Sequence, residues 1–150
     1  MTEEPSEIIS KYYHALYNGD LSAVKDLMTE KSYIMTLESF GLRLSFRDGE
    51  FKSLLKEIED SPESLEKVEA LLSQEIISRN KAPKIKISKC EPNGSERETV
   101  YYTEDGKVKK LYFSKENGGW KINYYAGRPL PQSYFSIIKN WTISILPSFK

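Results

Sequence analysis

The chain has 150 residues, which is enough for one domain with one hydrophobic core. Its 22 basic and 22 acidic residues cancel, so no general positive field attracts nucleic acid or an anionic membrane. No apolar run approaches the ~20 residues that span a bilayer, and the acidic start, MTEEPSE, is unlike a secretory signal. We therefore predict a cytoplasmic protein with no nucleic-acid partner and no membrane span.

The first predicted element is a helix with one buried stripe. Apolar residues recur at three- and four-residue spacing between positions 3 and 17, and these are Ile8, Ile9, Tyr12, Tyr13, Leu16 and Tyr17. Gly19 can adopt the left-handed conformation that ends this helix, and Asp20 can cap the next one. The second helix is predicted to bury Leu21, Val24, Leu27 and Met28. The Asn-Gly-Asp break thus predicts a corner between two helices.

Three more helices are predicted before residue 83. Residues 32–47 alternate like a strand at Phe40, Leu42, Leu44 and Phe46, but their apolar positions also fit a helix, which we favour. Residues 48–58 follow as a helix. The last helix begins with Ser61 as its cap and Pro62 in its first turn. Its predicted buried positions are Leu65, Val68, Leu71, Leu72 and Ile76.

After Pro83 the apolar period changes from that of a helix to two, the period of a strand. Turn sequences at residues 92–95, 105–106 and 117–119 separate four predicted strands, which end with residues 120–125. This order predicts an antiparallel meander. Its inward residues are predicted to be Ile85, Ile87, Val100, Tyr102, Leu111, Phe113, Trp120, Ile122 and Tyr124. The strand lysines are predicted to form a basic strip on the other face, and they are Lys84, Lys86, Lys89, Lys107, Lys109 and Lys110.

The last segment, residues 129–150, differs from the preceding domain, residues 1–128. It is rich in aromatic and branched aliphatic residues and carries little charge. Such a segment has to bury its apolar side, either on its own domain, on a second copy of the chain or on a different protein. We treat it as an apolar C-terminal extension.

Residues that often carry chemistry are isolated in this sequence. His14 is the only histidine, and it lies two positions from Tyr12, which places it about 200° around the helix and on the outside. Cys90 is the only cysteine and has no partner for a disulfide or a zinc site. Phosphate-binding glycine loops and calcium loops are also missing. We therefore predict no metal and no cofactor.

Two stretches together resemble a known family. The helix ending in ALYNGDLSAVKDLM and the strands ending in GGWKINYYAGR resemble the nuclear transport factor 2-like superfamily, over residues 3–128. That resemblance implies a cystatin-like α+β fold, in which a curved antiparallel sheet wraps around N-terminal helices and forms a cone with an internal cavity. The tail beyond residue 128 lies outside the common core of that superfamily.

The resemblance also allows a test for catalysis. In the isomerase-like members, a tyrosine eight residues before the aspartate of the Gly-Asp break donates a hydrogen bond to a developing oxyanion, and Tyr12 stands at that spacing. The carboxylate that acts as the base corresponds to Thr36, which cannot serve as one. Glu38, two residues further, is the acidic alternative. The catalytic set is therefore incomplete in this sequence.

The leading prediction is a non-catalytic domain that binds a small apolar or aromatic molecule and forms a homodimer. Aromatic rings supply a flat surface with a hydrogen-bonding tip, and the predicted lining residues are Tyr12, Leu16, Tyr102, Phe113, Trp120 and Tyr124. One alternative is a small isomerase or dehydratase that uses Tyr12 with Glu38. Another is a protein-interaction module that uses the C-terminal tail and the lysine strip.

Overall fold

The computed structural model describes residues 3–79 and 81–126. Within these residues five helices precede a four-stranded antiparallel sheet, which confirms the α+β class. The helices are α1 Pro5–Tyr17, α2 Leu21–Asp26, α3 Glu30–Arg47, α4 Gly49–Lys56 and α5 Pro62–Arg79. The strands are β1 Ile85–Pro92, β2 Arg97–Glu104, β3 Lys107–Glu116 and β4 Gly119–Ile122. They pair in chain order as an open meander, as predicted.

Side-chain caps fix where four of the helices begin, and the predicted cap of α5, Ser61, accepts from the Ser64 backbone N–H. Asp20 accepts a hydrogen bond from the Ala23 backbone N–H at the start of α2, which confirms the predicted corner. Thr29 caps α3 in the same way, and Asp48 caps α4. The α3 cap explains why residues 32–47 form the favoured helix, since the helix has a defined start and packs against α4 and α5.

The inner stripe of α5 is narrower than predicted. Val68, Leu72 and Ile76 are buried, whereas Leu71 is 40% exposed. Adjacent helical residues point about 100° apart, so Leu71 leaves the helix beside the stripe that Leu72 occupies. The prediction that Leu71 is buried within its own domain is therefore wrong.

The sheet also differs from the prediction at its last strand. β4 ends at Ile122 rather than at residue 125, because the chain then turns and the Ala126 N–H bonds to the Asn123 carbonyl. On its free side Ile122 bonds to the segment after α2: its N–H donates to the Leu27 carbonyl, and its carbonyl accepts from the Thr29 N–H. This segment covers one edge of the sheet and joins it to α3.

The residues on the inward face of the sheet are those that the two-residue alternation predicted. Six of the nine predicted inward residues are fully buried, and these are Val100, Tyr102, Leu111, Phe113, Ile122 and Tyr124. The other three are half-buried, namely Ile85, Ile87 and Trp120. Lys109 was predicted in the basic strip but is 4% exposed, because it pairs with Tyr102 in the β2–β3 register and shares its face. Its place in the strip was therefore predicted wrongly.

Two further predictions concern the C-terminal extension and membrane-spanning helices. The apolar extension, residues 129–150, lies outside the described residues. None of the helices in the described ranges is long and apolar enough to cross a membrane.

Replacing Gly19 by alanine should lower the free energy of unfolding by about 2 kcal/mol. Gly19 has φ +72°, and an added Cβ would lie 2.6 Å from Ile77 Cδ1 and 3.3 Å from the Ser73 carbonyl oxygen. The matched control is Gly106→Ala, since Gly106 has φ +84° and nothing within 4 Å of an added Cβ. Urea denaturation should show a smaller loss for the control, about 1 kcal/mol. Equal losses would mean that the contact between the added Cβ and α5 contributes nothing to the loss of stability.

Candidate functional site

The interior contains a group of interacting tyrosines, which we call the tyrosine cluster: Tyr12, Tyr13, Tyr102 and Tyr124. Tyr12 and Tyr13 come from α1, and both are buried. Their rings meet edge to face with centroids 5.3 Å apart. Adjacent helical residues diverge by about 100°, so the two hydroxyls reach different parts of the interior. The cluster therefore has two hydrogen-bonded arms.

The Tyr13 arm reaches a buried carboxylate on β2. The Tyr13 hydroxyl donates to Glu104 Oε2 at 2.9 Å and lies 2.8 Å from the Tyr102 hydroxyl. A phenol has only one proton, so Tyr102 donates in the second bond. Glu104 is 2% exposed, and Tyr17 stacks on the outer side of Tyr13 with centroids 6.3 Å apart. The Tyr13 phenol thus lies within hydrogen-bonding distance of both the Glu104 carboxylate and the Tyr102 phenol, in the interior between α1 and the sheet.

Lys109 adds a buried cation to this end of the interior. Lys109 on β3 pairs with Tyr102 on β2. Glu104 lies two residues after Tyr102 on β2, and therefore on the same face of the sheet. Burial lowers the pKa of Lys109, and the nearby Lys107 lowers it as well, whereas the Glu104 carboxylate opposes both effects. Attraction to the Glu104 carboxylate therefore offsets part of the cost of burying the Lys109 ammonium group.

The Tyr12 arm reaches α3. The Tyr12 and Tyr124 hydroxyls are 3.4 Å apart, and the Thr36 hydroxyl lies 3.2 Å from that of Tyr124. Thr36 also donates to the Ser32 carbonyl at 2.9 Å. The Ser32 hydroxyl accepts from the Tyr124 backbone N–H at 3.0 Å. These bonds hold Tyr124 against α3 just after the end of β4.

The residues that the resemblance paired, Tyr12 and Thr36, therefore do lie in one place, with Tyr124 between them. The acid that the isomerase alternative needs is elsewhere. Glu38 follows Thr36 by two positions on α3, so it leaves the helix about 200° away from the side that meets Tyr124. A reaction with Glu38 as base has no support in this geometry.

The phenols of the cluster are hydrogen-bond donors and not bases at neutral pH. Burial is the main cause that raises the pKa of Tyr12, Tyr13, Tyr102 and Tyr124 above its ordinary value near 10. Interactions between the tyrosines add to the rise at Tyr12 and Tyr13. What the cluster can offer to another molecule is a neutral O–H group and a flat ring.

Five of the six predicted lining residues are fully buried in one core, and the sixth, Trp120, packs against that core. A single continuous core includes Tyr12, Leu16, Tyr102, Phe113 and Tyr124. Trp120 is half-buried beside a surface cleft of about 350 Å³ that Asp26, Leu27 and the β3–β4 turn also line. The Lys115 ammonium lies 5.1 Å from the centre of the Trp120 ring. Trp120 therefore packs against the edge of this core and also faces a surface cleft.

Three residues of this site were missed from the sequence: Tyr13 as a polar group, Glu104 and Lys109. The sequence did contain a signal for the two charged residues. Glu104 is an even number of positions from Val100 and Tyr102 on one strand, and Lys109 is two positions from Leu111 on the next, so both belong to the inward face. A charged side chain at an inward strand position is the mark of a functional or paired group.

His14 lies on the outside of α1 and Cys90 lies in a strand, as predicted. His14 is exposed, and its Nε2 lies 3.2 Å from the Asn18 side-chain amide on the next turn of α1. Cys90 is an exposed residue of β1. Among the residues that the structure describes, no group of three metal-ligating side chains is present.

Comparisons with known proteins give no assignment. Neither a family model, nor a curated protein, nor a solved structure matches this chain. The chemistry of the tyrosine cluster is therefore the basis for assigning a function.

Proposed function

We propose that this chain binds a small, mainly aromatic or apolar molecule between α1 and the sheet, beside the tyrosine cluster. The observation that carries the proposal is the buried polar set Tyr13, Tyr102, Glu104 and Lys109. Apolar side chains of similar volume would fill this space at a lower cost in free energy. Titratable groups concentrated inside a domain are typical of binding and catalytic sites.

The chemistry of the cluster defines the class of ligand. Phenol rings and the neighbouring Leu16 and Phe113 favour a flat apolar body. The phenol hydroxyls can donate to a carbonyl, ether or hydroxyl oxygen, and the Glu104 carboxylate can accept from an N–H or O–H group. The best ligand is therefore an aromatic molecule with one polar group, and its binding requires no metal or cofactor.

A ligand would reach the site from the end where the cluster meets the surface. Tyr17 is half-buried and covers Tyr13, and Glu104 directly precedes the exposed Asp105–Gly106 turn. A small displacement of Tyr17 and this turn would open a route to the Glu104 carboxylate. The rest of the cluster is deeper and would contact the apolar body of the ligand.

The resemblance to the nuclear transport factor 2-like superfamily forms part of the proposal. Its element order, helices first and an antiparallel meander afterwards, is the order seen here. We further propose that the sheet of this chain is curved and encloses a cavity against the helices, as in that superfamily. A cytoplasmic location also stays a prediction.

Tyr102→Phe tests the proposal, because it removes one hydroxyl and keeps the ring. The probes are phenol, indole and benzoate, with affinity measured by ligand-observed NMR. Binding of the best probe should weaken about 10-fold, the effect of one lost hydrogen bond. The control is Tyr101→Phe, since Tyr101 is the adjacent half-buried residue on the other face of β2. Failure of all three probes to bind the unmodified protein, or equal weakening by both substitutions, would contradict the proposal.

A further inference from the structure

Two large apolar side chains are exposed on the helical side of the molecule, and the Arg47–Glu75 salt bridge joins the two segments that carry them. Phe46 is 81% exposed in the last turn of α3, and Leu71 is 40% exposed on α5. The sequence pattern placed Leu71 on a buried stripe, and its own domain does not bury it. Large apolar groups that cluster on a surface mark a contact with another molecule.

A cleft lies beside these residues, between α4 and α5. Its volume is about 460 Å³, and its lining residues are Asp48, Glu50, Phe51, Leu54, Lys67, Ala70 and Leu71. Phe51 is buried and forms the floor. The half-buried Leu54 and the exposed Leu71 make apolar walls, so the cleft suits an apolar side chain.

Phe46 lies two residues before Asp48, which lines this cleft, and it is not itself among the lining residues. Its neighbour Arg47 binds Glu75 at 2.8 Å, and Glu75 lies one turn beyond Leu71 on α5. On the other side Asp48 both caps α4 and lines the cleft. One face of the molecule thus presents a projecting ring and, next to it, an apolar hollow.

We propose that this face binds a second copy of the chain about a two-fold axis, with Phe46 of each copy in the cleft of the other. A projection and a hollow on the same surface satisfy the requirement of an isologous interface, in which one patch meets itself. The charges agree with this arrangement. Asp48 and Glu50 line the α4 side of the cleft and Lys67 the α5 side, so a two-fold axis that runs along the cleft brings Lys67 of one copy to the acids of the other.

The first test is Phe46→Glu in the full chain, studied by sedimentation velocity over a range of concentrations. The unmodified chain should be a dimer, and the variant should dissociate at least about 30-fold more readily, as for a central aromatic anchor. Val108→Glu is the control, since Val108 is 77% exposed but lies in the sheet. Circular dichroism should show both variants folded. A monomeric unmodified chain, a dimeric Phe46→Glu variant or a monomeric Val108→Glu variant would each overturn the proposal.

The second test separates charge pairing from loss of apolar contact. Lys67→Glu should weaken the dimer because it places acids against acids, and adding Glu50→Lys to it should restore the affinity. If the double variant stays as weak as Lys67→Glu alone, the two-fold arrangement is wrong. The interface does not depend on the proposed ligand, because the cleft and the tyrosine cluster share no residue. A monomeric Phe46→Glu variant that still binds phenol would show this directly.

Discussion

Raising the pH above about 10 should unfold this protein cooperatively. The four phenols of the tyrosine cluster are buried, and burial raises the pKa of each above the value that the unfolded chain has. The folded state therefore holds these protons in a pH range where the unfolded state releases them. Stability is complete below pH ~10 and is lost as the pH rises further.

The expected loss is large. Each such tyrosine contributes about 1.4 kcal/mol per pH unit above its unfolded pKa, so four contribute up to about 5.5 kcal/mol per pH unit. A domain of this size is stable by about 5–15 kcal/mol, and one to three pH units therefore suffice to unfold it.

The measurement is a pH titration that records tyrosinate absorbance and far-ultraviolet circular dichroism on the same sample. Both signals should change together in one sharp transition. Tyr102→Phe should reduce the pH dependence of stability by about a quarter, whereas Tyr101→Phe leaves the cluster intact. A gradual rise of tyrosinate absorbance from all tyrosines while the dichroism stays constant would mean that these phenols are accessible to solvent.

Replacing Glu104 by alanine should lower the free energy of unfolding by about 3 kcal/mol or more. The substitution removes the acceptor of the Tyr13 hydroxyl, and it also removes a negative charge that attracts the buried Lys109. A buried donor that loses its acceptor and a buried cation that loses an attractive charge each lower the stability of the fold. Urea denaturation at neutral pH measures the loss.

Two controls identify the cause of that loss. Glu104→Gln keeps an acceptor for Tyr13 and should cost less, about 1–2 kcal/mol. Glu116→Ala removes an exposed carboxylate at the end of β3 and should change stability by less than about 0.5 kcal/mol. If Glu104→Ala is as harmless as Glu116→Ala, then the hydrogen bond and the charge contribute nothing to the folded state.

Local sequence signals predicted most of the fold. The caps at Asp20 and Ser61, the Gly19 corner and the turn sequences of the meander act within a few residues of the chain. For this reason the order and type of the elements could be predicted without a tertiary structure. The helix over residues 32–47 was the hardest case, because its apolar positions fit two periods, and its cap at Thr29 precedes that segment.

The candidate site could be predicted only in part. Periodicity placed Tyr12, Leu16, Tyr102, Phe113 and Tyr124 inside, and they form one core. It could not show that Tyr13 meets Glu104, because this bond joins residues 91 positions apart. The register of β2 against β3 decides which lysine faces the interior, and that register depends on the whole sheet.

By itself, then, the sequence determined the α+β order of elements and the apolar faces, because backbone preferences and side-chain periodicity are local properties of the chain. Only the tertiary structure decided the partners of the polar groups: Tyr13 with Glu104, Tyr12 with Tyr124, and the exposure of Phe46 and Leu71. The physical reason is that hydrogen bonds and burial depend on distances between elements that are remote in sequence, and packing alone sets those distances.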